Sequence, residues 1–310
     1  MGRDARRQRP DRGAEAPRRD GRVVPLRRRS RHQQAADHRL TQREKAERFR
    51  KLHEGAGAFV IPNPWDGGSA RLLAGLGFEA LATSSGAAAG VLGRRDGQIS
   101  RDEALAQVRI IVAASDLPVS ADLEKGFGDS PAIVAETVRL AAEAGLVGCS
   151  IEDATGDKER PLYDFAAAVA RIEAAADVAR SLAFPFTLTA RAENFLRANP
   201  DLDDTIRRLK AYEAAGADVL FAPGLPDLDA VRKVCAAVKK PVNFMVGIKG
   251  KSFSVAELEA AGVRRISLAT SLFRAAMTGL FEAAREVKDR GTFGYLERSL
   301  GSADLNRYLQ

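Results

Sequence analysis

A chain of 310 residues that is 45% hydrophobic carries enough apolar side chains for one large α/β domain or two small ones, and none of its apolar runs approaches the roughly 20 residues that span a bilayer. Its two cysteines, Cys149 and Cys235, lie too far apart for the disulfide framework of a small secreted protein or the paired spacing of a zinc site, which leaves a reducing cytoplasm as the expected location. The formal charge of +7 points to nucleic acid only until it is located: residues 1–40 hold thirteen Lys/Arg against five Asp/Glu, a surplus of +8, so the other 270 residues sum to about −1.

In chain order, residues 1–40 have few large apolar side chains and no sustained periodicity, so they are expected to form a disordered basic tail. Asp4, Asp11, Glu15 and Asp20 set the tail apart from an acid-poor transit peptide, and nucleic acid is not the expected partner. From Thr41 the pattern changes. Thr41 stands three residues before Glu44 as in a capping box, and Phe49 and Leu52 follow at helical spacing. Eight short apolar runs come next: "AFVIPN", "EALATSS", "LPVSAD", "VGCSIED", "FTLTAR", "ADVLFAP", "PVNFMV" and "RRISLA". Between them lie alanine- and leucine-rich segments that open on Ser, Asp or Pro, as helices do, and close on glycine.

Strand and helix alternating eight times is the pattern of a (β/α)8 TIM barrel, expected over residues 41–310. A doubly wound open sheet is the competing architecture, and no GxGxxG follows an early strand to support it. After the eighth run, "SLFRAAMTGLFEAAREVKDRGTFGYLERSL" predicts a long helix, a Gly-Thr break and a shorter helix. One barrel does not need that surplus, so it is expected to pack against a neighbouring subunit of a homo-oligomer.

Barrel enzymes place their chemistry at the C-terminal ends of strands, and here those ends are polar. The first run ends in Asn63, the second in Thr83-Ser84-Ser85-Gly86, the third in Asp122 and Glu124, the fourth in Glu152-Asp153 and the fifth in Arg191. Asp122, Glu124 and Glu152 offer hard oxygen ligands with no imidazole or usable thiol nearby, which suits Mg2+ or Mn2+ and argues against zinc. Such an ion also relieves the repulsion between two carboxylates placed one residue apart. The planar fork of Arg191 suits a substrate carboxylate, with an ion pair to Glu152 or Glu193 as the structural alternative. The small residues after the second run could turn backbone N–H groups toward an anion.

Together "IPNPWDGGSARLLAGLGFEAL", "TSSGAAAGVLGRRDG", "ADLEKGFGDSP", "GCSIEDA", "TARAENF", "AYEAAGADVLFAP" and "GVRRISLATSLFRAA" resemble the isocitrate lyase and phosphoenolpyruvate mutase superfamily. The resemblance implies a Mg2+-dependent barrel that cleaves or forms a C–C or P–C bond beside a 2-oxo carboxylate through a metal-held enolate. By position it makes Asp122 the direct metal ligand, with Glu124 and Glu152 beside it, and puts Asp96 near the metal. It further implies that Arg191 holds the substrate carboxylate, that Ser85, Gly86 and Ala87 supply anion-binding backbone, and that the terminal helix is swapped in a dimer or tetramer. The lid "DATGDKERPLYDF" lacks the cysteine of isocitrate and methylisocitrate lyases and the Lys-x-Asn-Ser run of the mutase, although Thr155 could orient a water as in phosphonopyruvate hydrolase-like members. The substrate so implied is a small 2-oxo or 2-hydroxy acid, oxaloacetate-like, with a phosphonate as the alternative.

Overall fold

The computed structural model describes residues 39–309, so the tail expected over residues 1–40 lies, apart from Arg39 and Leu40, outside the described residues. Helix α1 (Gln42–Glu54) starts at the expected capping box: the Thr41 hydroxyl accepts the Glu44 N–H at 3.3 Å while Glu44 accepts the Thr41 N–H at 2.7 Å. Its Phe49 packs at the start of the strands, where a side chain on Gly148 would come within 2.6 Å of the Thr187 carbonyl and 3.1 Å of the Phe49 ring. Only glycine fits that approach.

The expected eight strands are present: β1 (Phe59–Ile61), β2 (Leu81–Ala82), β3 (Val119–Asp122), β4 (Gly148–Glu152), β5 (Thr187–Arg191), β6 (Val219–Phe221), β7 (Val242–Met245) and β8 (Arg265–Ser267). All neighbouring strands are parallel, in the order β1-β8-β7-β6-β5-β4-β3-β2. The β1–β2 seam has no ladder, but the Ala82 N–H donates to the Pro62 carbonyl at 3.0 Å, and Asn63 Nδ2 donates to the Thr83 carbonyl at 2.9 Å. Asn63 Oδ1 accepts the Leu268 N–H beyond β8 at 2.9 Å, so one side chain ties the first, second and last strands together. The sheet is thereby a nearly closed (β/α)8 barrel rather than the open competitor.

The helices between strands are α2 (Gly67–Gly75), α3 (Ser85–Val91), α4 (Arg101–Ala114), α5 (Pro131–Glu143), α6 (Phe165–Ser181), α7 (Leu202–Ala214), α8 (Leu228–Ala237) and α9 (Val255–Ala260). Side chains of Asp66, Ser84, Ser100, Ser130, Asp201, Asp227 and Ser254 each accept a first-turn N–H, satisfying a donor the helix cannot use itself. Val134, Val138, Ile172, Leu209 and Val231 press these helices onto the outer face of the sheet. Both cysteines are free thiols. No helix among the described residues is long and apolar enough to cross a membrane.

The long helix expected after the last strand is α10 (Ser271–Arg290), and none of its side chains is buried. Met277, Leu280 and Phe281 on it are exposed. It ends at Gly291 in the left-handed conformation, as the Gly-Thr break predicts, and a 3-10 turn and α11 (Ser302–Asn306) follow. The chain then returns to its own α2, where Arg71 Nη1 donates to the Leu309 carbonyl at 2.7 Å and Tyr308 takes the space a side chain on Gly75 would fill.

Candidate active site

The C-terminal strand ends surround a cavity of about 910 Å³. Asn63, Ser85, Asp96, Asp122, Glu124, Glu152, Thr155 and Arg191, all picked out from the sequence, line it together with Glu193, weighed there only as an ion-pair partner of Arg191, and with Arg197 and Arg265, which were not.

Arg191 is the hub. As the last residue of β5 it points inward, over the face of Phe221 at 5.1 Å, and is almost entirely buried. Its Nε and Nη2 donate to Glu193 Oε1 at 3.0 and 2.8 Å, Nη1 donates to Asp122 Oδ1 at 2.9 Å, and Nη2 also lies 3.1 Å from Glu152 Oε2. The ion pairs to Glu152 and Glu193, weighed from the sequence as the structural alternative, are thus both present. One hydrogen on Nη1 remains for a ligand, since a guanidinium has five. Arg197, one helical turn after Glu193, donates to Glu152 Oε1 at 3.1 Å and stands 3.5 Å from Glu193 Oε2.

Asp122 is fixed from three sides, because Ser85 donates through both its N–H and its hydroxyl to Oδ2, at 3.3 and 3.0 Å, while Oδ1 holds Arg191 and the Glu124 N–H. Burial raises its pKa, but Arg191 and the Ser85 hydrogen bonds outweigh burial and hold the carboxyl below the usual range. Glu152 goes the other way: burial, joined by the charges of Glu193 and Asp122, lifts it despite Arg191.

Glu124 has no such support. Its backbone is held at φ 50, a conformation disfavoured for a side chain of this kind, and its buried Oε1 has no hydrogen-bond partner. Burial, then the charges of Asp122 and Asp96, push its pKa from 4.5 up to about 7. The loop that carries it is pinned from below by Arg171 of α6, whose guanidinium donates to the carbonyls of Gly128 and Asp129 at 2.8 and 2.6 Å and to that of Lys125.

Three expected contributions differ in the structure. Ala87 is fully buried, its N–H shares the Ser84 hydroxyl at 3.4 Å, and neither it nor Gly86 reaches the cavity. At Gly86 a side chain would meet Thr270 at 2.9 Å and Asp96 at 3.3 Å, so the missing Cβ lets Asp96 approach. The Thr155 hydroxyl donates to the Arg160 carbonyl at 2.5 Å and accepts the Asp157 N–H at 2.9 Å, which commits it to folding the lid turn. Both polar ends of Asn63 are committed to the barrel seam.

Among the described residues, no three carboxylates, imidazoles or thiolates converge closely enough to hold a metal ion by themselves. The donor set fits Mg2+ or Mn2+ with water filling most positions: hard oxygens, no sulfur, and the buried Glu124 Oε1 without a hydrogen-bond partner.

The profile of the phosphoenolpyruvate phosphomutase family matches residues 49–288. A Burkholderia cenocepacia J2315 protein provisionally described as a lyase/mutase superposes with TM-score 0.85 at 55% identity, over 86% of this chain and 96% of that one. The 2-methylisocitrate lyase of Escherichia coli K12 is 33% identical over 70% of this chain and 75% of its own. The oxaloacetate decarboxylase of Bradyrhizobium diazoefficiens is 33% identical over 64% of this chain and 70% of its own. This chain belongs to the isocitrate lyase/phosphoenolpyruvate mutase superfamily. It is an enzyme of the lyase/mutase type.

Proposed function

We propose that the protein cleaves a C–C bond adjacent to a 2-oxo carboxylate, with oxaloacetate or a related 2-oxo or 2-hydroxy acid as substrate and Mg2+ or Mn2+ as cofactor. The observation that carries this reading is the buried, unpartnered Glu124 carboxylate oxygen beside Asp122 and Asp96, at the open end of the barrel next to the Arg191 web. Asp122 would hold the ion directly, with Glu124 and Glu152 on its water ligands. The ion would act as a Lewis acid, stabilising negative charge on the substrate's keto oxygen.

The chain's own residues do the rest. Ser85 fixes the Asp122 carboxylate so that one orientation is kept while ligands exchange. Arg191, immobilised by Glu193 and Glu152, turns its spare Nη1 hydrogen toward the substrate carboxylate, a fixed positive dipole that costs no reorganisation during reaction. The lid segment is tied at Lys125, which donates to the Thr155 carbonyl at 2.8 Å and pairs with Asp129 at 2.7 Å, and its Ala154, Thr155 and Gly156 line the cavity. It places no cysteine over the substrate, and Cys149 lies buried within β4. This favours a reaction that needs little acid–base help, such as decarboxylation. The exposed apolar side chains of α10 support a homo-oligomer with that helix at the interface, which light scattering on the purified protein tests.

The functional test is a screen of oxaloacetate, 2-methylisocitrate and phosphonopyruvate with Mg2+ or with EDTA, following pyruvate, carbon dioxide and phosphate. Mg2+-dependent release of pyruvate from a carbon acid is expected. Phosphate release, or phosphoenolpyruvate formed from phosphonopyruvate, would move the reaction to a P–C bond, and no turnover of any of them would overturn the reading.

A further inference from the structure

The inner end of the same cavity carries a charge that the rim chemistry does not use. Arg265, at the start of β8, lines the cavity and is 5% exposed. Its Nε donates to Asn243 Oδ1 at 2.9 Å, Nη2 donates to Thr189 Oγ1 at 2.9 Å, and Nη1 lies 3.4 Å from His53 Nε2. His53 Nδ1 is 2.8 Å from the Phe49 carbonyl, so that nitrogen carries the proton and Nε2 is an acceptor. Burial, then the charge of Arg265, push the His53 pKa down to about 3, keeping the ring neutral. Every partner of Arg265 is therefore uncharged, and among the described residues no Asp or Glu forms an ion pair with it.

An arginine cannot shed its proton to escape burial, and a buried charge without a counter-charge costs several kcal/mol. Burial lowers the Arg265 pKa to about 9, still leaving it cationic at neutral pH. The three contacts consume one hydrogen on each nitrogen, so each of Nη1 and Nη2 retains one for a ligand. The barrel interior leaves space above it. Where such barrels are usually filled by branched aliphatic side chains, the lining here includes Ser120, Ser150, Asn243 and Ser267 beside Ile61, Phe221 and Met245.

We propose that Arg265 is an anion subsite at the inner end of the cavity and takes the distal carboxylate of a dicarboxylate substrate. Thr189, which Arg265 touches, precedes Arg191 by two residues on the same inward face of β5, a step of about 7 Å along the strand. Both arginines line the one cavity, so a short dicarboxylate would place one end at Arg265 and its 2-oxo carboxylate end at the acidic, cation-seeking rim. The subsite rests on the function proposed above for its choice of ligand. It is tested by binding of unreactive acids, so it can fail or stand whether or not turnover is found.

The experiment titrates the full-length protein in Mg2+ with succinate and with butyrate, by calorimetry. Succinate is expected to bind about 10- to 100-fold tighter, the worth of a charge-assisted carboxylate contact. That advantage should fall below about threefold in Arg265→Gln and persist in Arg264→Gln, which removes the same formal charge from a residue outside the cavity lining. Wild-type crystals soaked in bromide supply a readout free of any folding defect in the variant: an anomalous peak at Arg265 that succinate displaces. Equal affinity for the two acids would overturn the proposal. So would a bromide that stays in place when succinate is bound, since that would assign the charge to a resident inorganic ion.

Discussion

Replacing Glu124 with glutamine isolates the least compensated charge at the rim. In the unfolded chain this carboxyl titrates near its ordinary value of 4.5, and in the folded protein near 7. A raised folded pKa means that the native state holds the proton more tightly, so stability is greatest below the unfolded value and is lost as pH rises through 7. At 1.36 kcal/mol per pH unit the full loss is about 3 kcal/mol, and roughly 2 kcal/mol after allowance for solvent screening of a part-buried side chain. Urea unfolding of wild type and Glu124→Gln in EDTA, at pH 5 and 8.5, should therefore show the variant gaining about 2 kcal/mol on wild type between the two pH values. Taking the difference across pH cancels any fixed cost of the amide. Adding Mg2+ at pH 8.5 should stabilise the wild type more than the variant, which keeps Asp122 but loses one carboxylate on the ion's water ligands. Identical pH dependence in the two proteins would refute the electrostatic reasoning.

Arg171→Met removes the donors to three loop carbonyls and is expected to destabilise the protein by about 3 kcal/mol in chemical denaturation while lowering Mg2+ affinity, because the strained Glu124 backbone loses its anchor. Tyr212→Phe deletes the 2.5 Å hydrogen bond to Asp153, whose other oxygen accepts the Glu193 N–H at 2.8 Å. It should cost about 1–2 kcal/mol in stability and lower kcat more than it raises KM, and an unchanged kcat would show that Glu193 needs no such support. Arg191→Lys keeps the charge but loses the planar fork, so kcat/KM should fall by about 100-fold, and a loss under about threefold would remove Arg191 from the substrate contact.

Much of the fold was legible because local signals agree: Ser and Asp caps, glycine stops and apolar runs of strand length all mark the same boundaries. Side-chain direction within the strands was not. In β4 and β5 every residue is buried, so alternation carries no burial signal and the inward residues cannot be told from the outward ones. Arg265 was hidden for a related reason: it stands beside Arg264 at the start of β8, and spacing alone does not say which of the two points into the barrel. The carboxylates at the rim stood out because strand ends are where barrels expose polar groups. Their pairing with Arg191 and Arg197 depends on side-chain reach across β3, β4 and the segment after β5, which spacing does not encode. Asn63 could be placed at a strand end, but its use in sealing β1 to β2 and β8 follows only from closure of the ring.

The most direct test of the whole account is anomalous diffraction from crystals soaked in Mn2+ and oxalate, an unreactive mimic of the proposed enolate. We predict one Mn2+ bound to an Asp122 oxygen, with Glu124 and Glu152 reaching it through water and oxalate chelating its open side. A rim without the ion, with Asp122 still paired to Arg191 and oxalate elsewhere, would contradict it.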